Sequence, residues 1–191
     1  MIDKTLAILA GGKSSRMNYN NKALLIYKEK TFIENIINAG GNFREKIIIA
    51  NSNEGYKDLR LRIYSDIYLD KGPLGGIHSA LKNSKYDKVL CIACDMPLIS
   101  NDVLNIIGSF KEDYEVLIPK INGRLQPMCA IYSKCLIPKI EKALINEENK
   151  LQKFILSTNY KVIDNKAYEA LREDKFSNIN TRKEYELLEE I

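Results

Sequence analysis

The chain has 191 residues, 45% of them hydrophobic and 28% charged, which suits one globular domain large enough to bury a core. A net charge of +4 without any lysine or arginine block leaves no footprint for nucleic acid, and no apolar run reaches the roughly 20 residues of a bilayer span. The apolar run behind residues 1–4 is too short for a signal-peptide core, so the expected setting is the cytoplasm, with neither membrane nor nucleic acid as partner.

Short apolar runs alternate with segments of helical period. Residues 5–10 read as a first strand. Residues 31–39 predict a helix with Phe32, Ile33, Ile36 and Ile37 on one face, stopped by Gly40-Gly41. Strands follow at 46–50 and 62–64, then a helix at 75–83. The run 88–93 is continuously apolar and predicts a strand buried on both faces. A helix is expected at 102–110, and strands at 115–118 and 128–132, with the turn dipeptide Asn122-Gly123 between them. Helices at 134–146 and 150–157, a strand at 160–163 and a helix at 182–190 complete the chain. The alternation predicts an α/β fold: a Rossmann-like three-layer sandwich with a mostly parallel central sheet and helices on both faces. Ligands of such sheets bind beyond the carboxyl ends of the strands. No repeat or linker interrupts 1–191, which reads as a single domain.

Gly11-Gly12-Lys13-Ser14-Ser15-Arg16 follows the first strand directly. Two glycines let a backbone approach a ligand closely, and successive N–H groups can face phosphate oxygens. Arg16 and Lys22 stand close behind as cations for a polyphosphate. A P-loop would need glycine at position 7, where the chain has Ala7. A plain glycine turn with surface cations is the competing reading. Asp95 ends the 88–93 run, where a carboxylate points into the crevice and can hold Mg²⁺ together with substrate phosphates. A turn aspartate ahead of Pro97 is its alternative. Asp66, behind the 62–64 strand, is a second such carboxylate.

Gly72-Pro73-Leu74-Gly75-Gly76 opens a helix, either to receive an anion or to pack closely on a strand. Asn178 and Asn180 lie two apart in an extended stretch, facing one side, to bind a ligand or to close local turns. Thr181 and Glu184 fit a capping box. Cys91-x-x-Cys94 sits in an apolar strand, where cysteine acts as a small hydrophobe, and Cys129 and Cys135 lack the second short spacing of a zinc site. His78 is the only histidine, so no His-rich metal site can be built.

Taken together, Leu9-Ala10-Gly11-Gly12-x-Ser14-x-Arg16-Met17, Lys22-Ala23-Leu24-Leu25, Gly72-Pro73-Leu74-Gly75-Gly76, Cys94-Asp95-Met96-Pro97, Gln126-Pro127 and Phe176-x-Asn178-Ile179-Asn180-Thr181 resemble the molybdenum cofactor guanylyltransferases, the MobA family. The resemblance runs from residue 6 to about residue 187. The opening motif and C-D-x-P are shared with many nucleotidyltransferases; G-P-L-G-G combined with N-I-N-T is more specific. It implies transfer of GMP from GTP to molybdenum-loaded molybdopterin, with pyrophosphate leaving. It implies nucleotide contacts from Leu9, Ala10, Gly11, Gly12, Lys22, Asn51, Asp66 and Asp95, and Mg²⁺ on Asp95. It assigns the molybdopterin side to Asn178 and Asn180, so that the N-terminal half binds GTP and Mg²⁺ and the C-terminal half binds molybdopterin. Arg16, Lys22 and Asp95 would carry the chemistry. Partners of this kind are enzymes of cofactor synthesis and molybdoenzyme assembly. The chain departs from the family's usual M-G-x-D-K at Met17-Asn18-Tyr19-Asn20-Asn21-Lys22, and has Arg182 where proline commonly follows N-I-N-T. The rival readings are a cytidylyl- or sugar-phosphate nucleotidyltransferase of the same fold, a non-catalytic nucleotide-binding module, and a thiol redox protein built on Cys91 and Cys94.

Overall fold

A computed structural model describes residues 1–11 and 21–189 of the chain. Strand β1 (Ile2–Leu9) leads to a small antiparallel hairpin of β2 (Ile26–Tyr27) and β3 (Lys30–Thr31), then to α1 (Phe32–Ala39), β4 (Phe43–Ile49) and β5 (Arg62–Tyr64). Next come α2 (Gly72–Asn83), β6 (Lys88–Ala93), α3 (Asn101–Gly108), β7 (Val116–Ile121), β8 (Arg124–Leu125) and β9 (Cys129–Ser133). The chain ends with α4 (Ile137–Ile145), α5 (Leu151–Leu156), β10 (Tyr160–Asp164) and α6 (Arg182–Glu189).

The main sheet runs β10-β7-β9-β6-β1-β4-β5, with β8 paired to β7. Along that path only β9 is antiparallel to its neighbours. Strand periodicity builds the two faces. Leu6, Ile8, Ile48, Leu90 and Ile92 meet Ile33 and Ile36 of α1 and Val103, Leu104 and Ile107 of α3 on one side. Ala7, Ile47, Ile49, Val89 and Cys91 meet Leu74, Ile77 and Leu81 of α2, Ile140 and Leu144 of α4 and Phe154 of α5 on the other. This is the expected three-layer sandwich, and β6 is buried on both faces as its unbroken apolar run predicts.

Several boundaries differ from the sequence reading for local reasons. The 134–146 helix is split: Lys134–Leu136 forms a 3₁₀ turn and α4 starts at Ile137, which puts Pro138 in a first turn where its missing N–H costs nothing. Pro73 likewise starts α2 at Gly72, three residues before the expected 75. The Asn122-Gly123 turn forms as expected, both residues at positive φ (47° and 84°), and joins β7 to β8. The β2–β3 hairpin is an addition: Lys28 and Glu29 hold φ of 50° and 66° without any glycine to announce the turn.

Candidate active site

The carboxyl ends of β6, β1, β4 and β5 stand side by side in that order. The chain builds outward from β1 through β4 to β5, then returns to the other side of β1 as β6. The topological switch point therefore lies between β1 and β6, where open α/β sheets bind ligands. The residues that follow these strands lie along this carboxyl edge, the crevice position of such sheets: Asp95 after β6, Gly11 after β1, Asn51 after β4 and Asp66 after β5. Three strand spacings separate its ends, roughly 14 Å.

The backbone at the switch point is fixed on both sides. Ala10 N–H donates to Ile49 O (2.8 Å) and Cys94 N–H to Leu9 O (3.1 Å). A Cβ added at Gly11 would sit 3.3 Å from Asp66 Oδ2 and 3.7 Å from Asn51 Nδ2, so glycine here allows a close approach of backbone to side chains.

At the far end Asn51 and Asp66 hold one another. Asn51 Nδ2 donates to Asp66 Oδ2 (3.0 Å), and Asp66 N–H donates to Asn51 Oδ1 (2.9 Å). Asp66 Oδ1 is buried and has no hydrogen-bond partner among the described residues. Gly76 of α2 lies beside it, where a Cβ would make an ordinary contact at 3.7 Å. Burial pushes the Asp66 carboxyl above the ordinary carboxylate range, with the Asn51 bond opposing it.

At the near end Lys22 meets Asp95 and Asn180. Lys22 starts a 3₁₀ turn, Lys22–Leu24, whose N-terminal cap is the Asn21 side chain. Its Nζ donates to Asn180 Oδ1 (2.8 Å) and lies 3.8 Å from Asp95 Oδ2, with both charged side chains less than one-fifth exposed. Asp95 Oδ1 is buried and has no hydrogen-bond partner among the described residues. Burial raises the Asp95 carboxyl, Lys22 opposes that shift, and the Glu184 charge adds to it.

The last segment reaches this point because Ile179 N–H donates to Asp95 O (2.9 Å). Glu184 Oε2 accepts from the N–H groups of Asn180 (2.7 Å) and Thr181 (2.8 Å), while Glu184 N–H donates to Thr181 Oγ1 (3.2 Å). That is the expected capping box, extended by one residue to steady Asn180. Ile179 packs with Tyr27, Phe32 and Leu188, so the β2–β3 hairpin helps clamp the segment down.

The structure thus gathers Lys22, Asp95 and Asn180 at one end and Gly11, Asn51 and Asp66 at the other, with Leu9 and Ala10 between. Asn178 is exposed, and it is Asn180 that meets Lys22. Gly12 and Arg16 lie outside the described residues. Sequence reading missed Asn21 and Tyr56, which pair through their side chains beside Lys22 and carry no motif of their own. Cys91 and Cys129 are buried and Cys94 half-buried, and burial pushes the Cys94 and Cys129 thiols up to about 12, opposite to a reactive thiolate. His78 is buried between α2 and α4, its Nε2 3.0 Å from Glu141 Oε1, away from the crevice.

Among the described residues no three His, Cys, Asp or Glu side chains form a metal cluster. Asp95, with a buried oxygen unpartnered, fits an ion that takes one or two carboxylates and completes its shell with substrate phosphates. Among the described residues no helix is long and apolar enough to cross a membrane.

Residues 6–162 match the family described as MobA-like NTP transferase domain. A probable molybdenum cofactor guanylyltransferase of Clostridium perfringens is 53% identical over 190 residues, covering 97% of this chain and 96% of its own length. One from Carboxydothermus hydrogenoformans is 38% identical over 194 residues, covering 98% and 96%. Among solved structures, molybdopterin-guanine dinucleotide biosynthesis protein A from Archaeoglobus fulgidus superposes with a TM-score of 0.80 at 23% identity over 97% of each chain, which supports the fold. The chain belongs to the MobA-like NTP transferase family and is a nucleotidyltransferase.

Proposed function

We propose that this chain transfers GMP from GTP to molybdenum-loaded molybdopterin, forming the guanine dinucleotide cofactor and releasing pyrophosphate. The likeness to probable molybdenum cofactor guanylyltransferases supports this substrate pair. The observation that carries the mechanism is the contact of Lys22 with both Asp95 and Asn180, which joins the metal-side carboxylate and the acceptor-side asparagine through one phosphate-side lysine.

Asn51 and Asp66 hold the guanosine part at the outer end of the crevice. Leu9, Ala10, Gly11 and Gly12 run along the nucleotide, bringing the triphosphate back toward Lys22. Asn178 and Asn180 face molybdopterin. This divides the single domain into an N-terminal nucleotide half and a C-terminal molybdopterin half. The molybdopterin phosphate is already an anion at neutral pH, so the protein's task is to align it with the α-phosphorus and to match charge as pyrophosphate departs. Alignment alone is worth about 7–11 kcal/mol of a bimolecular barrier. Lys22 and Arg16 supply positive charge to the transferred group. Mg²⁺ held by Asp95 would supply charge neutralisation across the phosphate oxygens. The setting is the cytoplasm, with cofactor-synthesis and molybdoenzyme-assembly proteins delivering and receiving the pterin.

The test is the product. Incubation with GTP, Mg²⁺ and molybdenum-loaded molybdopterin yields a species with the mass of the guanine dinucleotide; an unchanged pterin beside an active control enzyme contradicts the proposal.

A further inference from the structure

We propose that Tyr56 is a positioning residue for Lys22, acting through Asn21. The inference rests on Lys22 facing the triphosphate and adds to it the device that aims the lysine.

Tyr56 is 1% exposed and ends the loop that leaves β4 at Asn51. Its hydroxyl meets the Asn21 amide at both ends: Asn21 Nδ2 donates to the hydroxyl (2.7 Å), and the hydroxyl lies 3.0 Å from Asn21 Oδ1, to which it can donate. That same Oδ1 accepts from Ala23 N–H (3.2 Å) and so caps the turn that carries Lys22. The loop touches the turn a second time. Gly55 has φ of +81°, and a Cβ on it would stand 2.4 Å from Leu24 Cδ1, so glycine alone gives both the conformation and the room. The loop therefore grips the turn on both sides of Lys22, at Asn21 and at Leu24.

The grip matters because a 3₁₀ turn of three residues has little stability of its own. Lysine also loses more rotamer freedom on ordering than most side chains. The anchor holds the backbone from which the Lys22 side chain reaches Asn180 and Asp95. Burial pushes the Tyr56 phenol up to about 12, so the hydroxyl stays protonated and able to donate through neutral pH. The loop also ties the two ends of the crevice together: Asn51, which pairs with Asp66, starts it, and Tyr56, which aims Lys22, ends it.

The test is a double-mutant cycle of Tyr56→Phe and Lys22→Ala in the full chain, read by calorimetric binding of inorganic tripolyphosphate with Mg²⁺. Asn21→Ala runs beside Tyr56→Phe as a second way of cutting the link, and thermal melts confirm that each variant is folded. Loss of one hydrogen bond's worth of positioning weakens binding roughly 2- to 10-fold. That loss appears in the native background and vanishes in Lys22→Ala, because a residue acting through Lys22 has nothing left to aim. Equal loss in both backgrounds, no loss in the first, or no tripolyphosphate binding by the unaltered chain overturns the inference. Tripolyphosphate carries no base and no pterin, so the cycle reads the Tyr56 role even if the guanylyl reaction itself proves wrong; failure of GTP to react with molybdopterin sinks that reading separately.

Discussion

Lys22 and Asn180, 158 positions apart, share a 2.8 Å hydrogen bond beside Asp95. The turn that carries Lys22 and the extended segment before α6 therefore meet beside Asp95, at the switch point of the sheet. Two side chains from opposite ends of the sequence thus hold one another next to Asp95.

Asn180→Ala removes the partner of Lys22 and lowers the rate of transfer about 10-fold, the cost of one charge-assisted hydrogen bond. Single-turnover kinetics of Asn180→Ala, Lys22→Ala and the double variant check this. The double variant should be little slower than Lys22→Ala alone; full additivity would show that the two residues act independently.

Asp95→Asn keeps the shape of the side chain and removes its charge. Transfer should fall by about 10²–10³-fold, as for other fixed electrostatic groups. The melting temperature should not fall, because burial already works against the charged carboxylate at this site. A near-normal Mg²⁺-dependent rate would remove Asp95 from the chemistry.

Asp66 gives a pH signature. Its folded-state carboxyl lies above the ordinary value of 3.8, so the folded chain holds the proton more tightly than the unfolded one. The stability this group contributes is present below 3.8 and is lost as pH rises through the raised value. Asp66→Asn has no such loss. Its melting temperature relative to the unaltered chain should climb with pH across that window and level off above it, while nucleotide binding weakens. A constant difference at every pH would contradict the burial argument.

The thiols make a fourth test. Cys135 is exposed, Cys91 and Cys129 are buried, and Cys94 is half-buried with its thiol pushed up by burial and by the Asp95 charge. At pH 8 a thiol reagent such as Ellman's should modify Cys135 quickly and the other three only on unfolding. Rapid, stoichiometric oxidation of Cys91 with Cys94 would revive the redox reading.

The elements with strong periodicity were legible in the sequence. β6 and β5 fall on the expected 88–93 and 62–64, and the two core faces follow from simple alternation in β1, β4 and β6. What was not legible is long-range or chemically unmarked. The Lys28-Glu29 turn takes positive φ without glycine or asparagine, so no residue type signals the β2–β3 hairpin. Asp66 and Asp95 could be placed at strand ends, but the reciprocal bonding of Asp66 with Asn51, and the choice of Asn180 over Asn178 as the partner of Lys22, depend on how loops fold back over the sheet. Tyr56 sits in a polar loop with no motif, and its importance appears only when its hydroxyl is found against Asn21.

The most direct test of the guanylyltransferase account is pyrophosphate release in the presence of Mg²⁺ and molybdenum-loaded molybdopterin, with GTP, CTP, UTP and ATP supplied in turn. Release with GTP, dependent on the pterin and absent with the other three, is the predicted result; release with CTP or another nucleotide instead, or with none of them, would contradict it.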